Sequence, residues 1–226
     1  MIELKTEFKI KFNTITDFSQ HVRKLVSPFL AFAENVRFEN VNRPSERAYI
    51  NFPEDDMIIT ADWNNLGVIV IGQTTNLDDY DNKLRFFYEL LGNIKKLDTF
   101  VGFEYSILRT WDLLPGIYED YESFKEVFYT NLPKINSIND CAVILEGELD
   151  KEKLGFNCRF GPLNYPDDIE HHNLSLFNNS AFVGSETPTE GCLVNNTLQS
   201  FSNEFDYMEM KKIQSGKNNL INSIPS

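Results

Sequence analysis

Cysteine is scarce in this chain, and the scarcity narrows the field at once. Cys141, Cys158 and Cys192 are odd in number and far apart, so neither a disulfide framework nor a CxxC zinc site is expected. Positive charge is short as well: 21 basic side chains face 34 acidic ones, a formal net charge of −13. A field of that sign repels phosphate backbones and anionic lipid, which argues against direct nucleic-acid or membrane-surface binding. No apolar run approaches the ~18 residues a membrane helix requires. The opening MIELKTEFKIKF alternates charged and apolar residues and has no apolar leader core. These absences lead to the expectation of a soluble, cytoplasmic protein, in which the N-x-S/T triplets at Asn173, Asn178 and Asn195 arise by chance.

Chemical signatures are missing too. The sequence contains no GxxxxGK[ST] loop, no GxGxxG after a strand, no GxSxG elbow and no HExxH. Phosphate cradling, dinucleotide hydride transfer and zincin hydrolysis lose their usual sequence support, and no cofactor is expected.

What is present is periodicity. Leu4, Thr6, Phe8, Ile10 and Phe12 alternate with Lys5, Glu7, Lys9 and Lys11, the period of a half-buried strand. Thr16 or Asp17 can cap a helix whose stripe is Phe18, Val22, Leu25, Val26, Phe29 and Leu30, with Pro28 set to kink or end it. Strands over about 36–41, 47–52, 57–63 and 66–72 follow. WNNLG suggests a tight turn with positive φ, and LGVIVIG reads as a central strand covered on both faces. A helix over about 77–95 places Asp78, Asp79 and Asp81 in its first turn.

The pattern then restarts. A strand over 100–109 precedes a helix over about 119–132, strands over 141–149 and 155–161 flank the turn LDKEK, and a last helix over about 197–213 carries Leu198, Phe201, Phe205 and Met208. The expectation is an α+β fold of duplicated strand-helix-hairpin-helix units, with largely antiparallel sheets and helices on one face. The first unit covers 1–98 and the second 99–214, with a loop-rich insertion over about 162–196 that holds only short strands near 174–177, 181–184 and 191–195. Residues 215–226 read as a flexible tail. The two units can share one sheet or face each other across a cleft.

The stretches IELKTEFKIKF and TFVGFEYSILRTWDL, and the order of elements between them, resemble a sporadically distributed family of uncharacterised bacterial proteins of similar length. The resemblance covers mostly residues 1–112. It implies no catalytic residues.

Candidate functional residues fall into three groups. The acidity is concentrated late: residues 114–226 hold 8 basic and 17 acidic side chains, against 13 and 17 in residues 1–113. Within that half, Tyr118, Glu119, Asp120 and Glu122 mix acid with aromatic surface, as protein-binding patches do. A second group is basic: Lys5, Lys9 and Lys11 on the wet face of the first strand, joined by Arg47 beside Tyr49. With Trp63 and Trp111 as aromatic lining, these could hold an anionic small molecule between the halves. The third group is His171 and His172 near Asp168, residue types that ligate divalent metals but lack ligand spacing.

Cys158 alternates with Phe156 and Phe160 and should point inward. The leading expectation is a non-enzymatic protein that binds another protein through its acidic half, as a toxin-neutralising or defence-system component would, and the charge favours a basic partner. A small-molecule-binding scaffold and a metal-dependent enzyme are the alternatives. Oligomeric state is not legible.

Overall fold

The computed structural model describes residues 2–71, 82–97, 103–114, 142–149, 154–164, 167–168 and 190–200. The first strand, β1 (Ile2–Phe12), leads into α1 (Phe18–Val26), which tightens into a single 3-10 turn at Ser27–Phe29. Pro28 explains that ending, because its ring cannot continue the α-helical ladder. A meander of β2 (Asn35–Glu39), β3 (Arg47–Phe52), β4 (Met57–Ala61) and β5 (Asn65–Ile71) follows, then α2 (Arg85–Ile94). The later described strands are β6 (Phe103–Leu114), β7 (Val143–Leu149), β8 (Leu154–Pro162) and β9 (Cys192–Ser200).

The nine described strands form one antiparallel sheet in the order β2-β3-β4-β5-β1-β6-β9-β8-β7. The architecture is α+β. The seam between the halves is the β1–β6 pair, running from Ile2↔Leu113 to Phe12↔Phe103. Of the two arrangements the sequence left open, the described strands adopt the shared sheet.

Alternation decides which face is dry. Phe8, Ile10 and Phe12 of β1 share a core with Ile50 and Phe52 of β3, Ile59 of β4 and Val68 of β5, all essentially inaccessible to water. α1 and α2 pack on this face. Phe18, Val22 and Val26 come from α1, and Phe87 of α2 meets Phe8 edge-on with ring centroids 5.7 Å apart. Phe86 stacks on Phe52 at 4.6 Å and lies edge-on to Phe29 at 5.8 Å. Leu154, Cys158, Val194 and Leu198 extend the same core under the second half, so Cys158 points inward as its alternation implied.

Buried charge fixes the loops. Glu46 is wholly inaccessible, yet Arg23 donates to its Oε1 (3.2 Å) and the Asn42 backbone N–H to its Oε2 (2.7 Å). That pairing meets the requirement that a buried carboxylate be hydrogen-bonded, and it ties the β2–β3 loop to α1. Asn40 and Asn42 in that loop take positive φ (52° and 61°), a conformation asparagine tolerates.

Several local expectations are corrected. Asp17 stands at the N-cap of α1 but makes no capping bond; its carboxylate meets His21 at 3.0 Å instead. The start of the second helix expected over about 77–95, with Asp78, Asp79 and Asp81, lies outside the described residues, and α2 covers its later part from Arg85. The WNNLG turn does not use positive φ. Asp62 Oδ1 instead accepts the backbone N–H groups of Asn64 (3.0 Å) and Asn65 (2.8 Å), so a side chain closes the turn in place of backbone geometry.

The largest correction concerns residues 197–200, where β9 (Cys192–Ser200) runs on from the short strand expected near 191–195 into the start of the expected last helix. Leu198 fits a helical stripe in the sequence. It equally fits a period of two with buried Val194, Asn196 and Ser200, and pairing with β6 on one side and β8 on the other selects the strand. The expected helices over 119–132 and beyond 200 lie outside the described residues.

Candidate partner-binding edge

The residues singled out in the sequence are mostly not brought together. Lys5, Lys9 and Lys11 do share the face of β1 away from the helices, but that face is drier than alternation suggested. Lys5 is only 8% exposed, and Lys9 and Lys11 are half-buried. Arg47 lies on β3, three strands from β1 in the order β3-β4-β5-β1, a separation of roughly 14 Å at ~4.8 Å per strand.

Arg47 is also committed elsewhere. Its Nε (3.1 Å) and Nη2 (2.8 Å) donate to Asp62 Oδ2, and Nη1 reaches the Tyr49 hydroxyl at 3.4 Å. The Tyr49 hydrogen bond, with the Asp62 carboxylate, holds its guanidinium above the ordinary range against the opposing effect of burial. Arg47 is a structural clamp on the β4–β5 turn.

The two tryptophans are likewise separate. Trp63 sits in the β4–β5 turn against the core, and its carbonyl accepts the Ile15 N–H at 2.8 Å. Position 111 on β6 pairs with Lys5, near the opposite end of β1. Asp168 forms a local turn with Asn164: its Oδ2 accepts the Asn164 N–H and its N–H donates to the Asn164 carbonyl, both at 2.8 Å. Among the described residues no three metal-ligand side chains cluster. His171, His172, Tyr118, Glu119, Asp120 and Glu122 lie outside the described residues.

What stands out instead is the contrast between the two ends of the sheet. At one end, β2 is five residues long and knitted shut by charge. Arg37 lies 4.8 Å over the Tyr49 ring and donates to Glu39 Oε1 at 2.9 Å, while the Tyr49 hydroxyl donates to Glu39 Oε2 at 3.1 Å. Short, charged edge strands resist pairing with other chains.

At the other end, β7 has seven residues reading VILEGEL, and Val143, Ile144 and Leu145 are exposed, Ile144 to 58%. Glu146 and Glu148 are exposed beside them. Among the described residues no strand pairs with the outer side of β7. The register with β8 divides its side chains between two faces. Val143 and Leu145 stand opposite Phe160 and Cys158 on the core side, while Ile144, Glu146 and Glu148 stand opposite Arg159, Asn157 and Gly155. The Asn157 amide donates to Glu146 and helps hold the strand in place.

No protein-family model and no curated protein matches this chain. Among solved structures, the rolling-circle replication initiator protein from Geobacillus stearothermophilus aligns at 9% identity and a TM-score of 0.31, covering 96% of this chain and 80% of that one. A likeness that slight carries neither fold nor function.

Sequence reasoning found the β7–β8 hairpin but not the exposure of β7. The placement of β9 between β6 and β8 is what leaves β7 at the rim. Cys158 and Cys192, both buried, offer no reactive alternative. Burial pushes the Cys192 thiol up to about 11, partly countered by a hydrogen bond with the Gly161 backbone and further raised by Cys158, whereas a nucleophilic thiol needs a depressed value.

Proposed function

We propose that this chain is a non-enzymatic, cytoplasmic binding protein that engages another protein, basic in character, through the rim of its acidic second half. The observation that carries the reading is the exposure of Val143, Ile144 and Leu145 next to Glu146 and Glu148 on a rim strand. Exposed apolar residues gathered in one place, with charge beside them, are the usual composition of a contact surface. The opposite rim, closed by Arg37, Tyr49 and Glu39, offers no comparable surface.

A toxin-neutralising or defence-system role suits this combination of acidity and contact area, because complementary charge accelerates encounter with a basic target. The chain is also read as two copies of one unit. On each side of the β1–β6 pair, the last strand of the half lies beside its first: β5 beside β1, and β9 beside β6.

The test compares the tagged wild-type protein with Ile144→Lys in affinity capture from the native cell under nuclease treatment, read by mass spectrometry. A stoichiometric protein partner retained by the wild type and lost from the variant is expected. Equal recovery by both proteins, or no partner with either, overturns the reading.

A further inference from the structure

We infer that β7 accepts an extended segment of the partner as one more antiparallel strand, and that this segment alternates cationic and apolar residues. The inference rests on the protein-binding reading above and gives it a geometry. A strand at the end of a sheet turns the N–H and C=O of alternate residues outward, a template for another chain. β7 presents that template over seven residues.

The side chains define what can lie against it. Residues directly opposite one another on neighbouring antiparallel strands have Cβ atoms about 4.5–5.5 Å apart and interact as pairs. Positions facing Val143 and Leu145 continue the core side and call for apolar groups. Positions facing Glu146 and Glu148 lie on the other side and call for lysine or arginine.

The same sheet already holds a strand of this design at its centre. β1 buries Phe8, Ile10 and Phe12 and turns Lys9 and Lys11 to the opposite face. A second copy of the chain is the poorer occupant, since each copy brings a net charge of −13. Antiparallel self-pairing over the whole of β7 would also set Glu146 of one copy directly against Glu146 of the other, and like charges directly opposite are destabilising.

The experiment measures binding of fluorescein-labelled KIKTKIK, its acidic analogue EIETEIE, and KIKTKIK N-methylated at alternate residues to the full chain by anisotropy. Backbone hydrogen exchange over residues 143–149 is followed in parallel. The basic peptide should bind at least about tenfold more tightly than the acidic one, and Glu146→Gln/Glu148→Gln should weaken it by about three- to tenfold. N-methylation should abolish binding, because it removes the donors a strand needs, and exchange over β7 should slow when the unmodified basic peptide binds.

Equal binding of the N-methylated peptide, or unchanged exchange over 143–149, overturns strand addition; the protein-binding reading is judged separately by the Ile144→Lys capture. Equal affinity for basic and acidic peptides overturns the charge requirement. Self-association of the protein that Ile144→Lys abolishes assigns the strand to a second copy and overturns the proposal.

Discussion

Asp62 offers a demanding test of how this sheet is held together. Its Oδ1 accepts the backbone N–H groups of Asn64 and Asn65, and its Oδ2 accepts two donors from Arg47, at 2.8–3.1 Å throughout. Truncation in Asp62→Ala strands both N–H groups in a half-buried turn. An unpaired buried donor costs ~1–3 kcal/mol, and about 1 kcal/mol each is appropriate at this partial burial. The Arg47 pair adds ~0.5–1 kcal/mol, because its guanidinium side is partly exposed.

The total is about 3 kcal/mol, which lowers Tm by roughly 6–12 °C in a domain of this size. Asp62→Asn keeps an acceptor for the turn but puts an amide N–H group where Oδ2 accepts from Arg47, so it loses the Arg47 pair alone and about 1 kcal/mol is expected from it. Urea unfolding followed by circular dichroism gives both values from one series. If the alanine and asparagine variants are equally stable, or if alanine costs under ~1 kcal/mol, the turn is not held by Asp62.

Three further outcomes follow from the packing. Gly67→Ala should destabilise by ~1–3 kcal/mol, because an added Cβ would meet Thr60 Oγ1 at 2.6 Å; Gly67→Ala/Thr60→Ala should recover most of that loss in the same urea assay. Phe87→Ala should cost ~3–5 kcal/mol, since the ring is fully buried against Phe8, and a loss under ~1 kcal/mol would contradict the packing of α2 on the sheet. The Cys192 thiol, held up to about 11 by burial, ionises in the unfolded chain first. The folded state therefore binds the extra proton between about pH 8.5 and 11. Stability contributed by the neutral thiol is complete below that window and falls across it, by at most ~1.4 kcal/mol for each step of one in pH. Cys192→Ala should flatten that slope, and an unchanged pH profile would show that the thiol is not responsible.

The sequence was most legible where one face of a strand is wet and the other dry. The alternation of Phe8, Ile10 and Phe12 with lysines located β1, and the stripe Phe18, Val22, Leu25 and Val26 located α1 to within a few residues. It was least legible where long-range partners choose between two periods. Leu198 satisfied a helix on its own evidence and a strand only once β6 and β8 lay on either side.

Exposure is similarly non-local. Val143, Ile144 and Leu145 carry no mark of a rim strand, and Lys5 carries no mark of burial, because both depend on which strands come to lie nearby. The β7 rim was not named from the sequence, and the acidic patch that was named, at Tyr118, Glu119, Asp120 and Glu122, lies outside the described residues. Arg47 illustrates the converse error, a basic residue that composition offers to a ligand and geometry gives to Asp62.

The position of β1 sets a timetable for the chain. It is synthesised before either of its neighbours, since Phe8 finds Val68 on one side and Leu108 on the other, so its second edge is satisfied only once β6 has been made. Contacts this distant in sequence slow folding, because loop closure precedes any gain from pairing. During the wait β1 is an unprotected apolar strand in a nascent chain, open to the wrong neighbour. Lys5, Lys9 and Lys11 then act before the native state exists: spaced every second or fourth residue along the strand, they repel a second nascent copy.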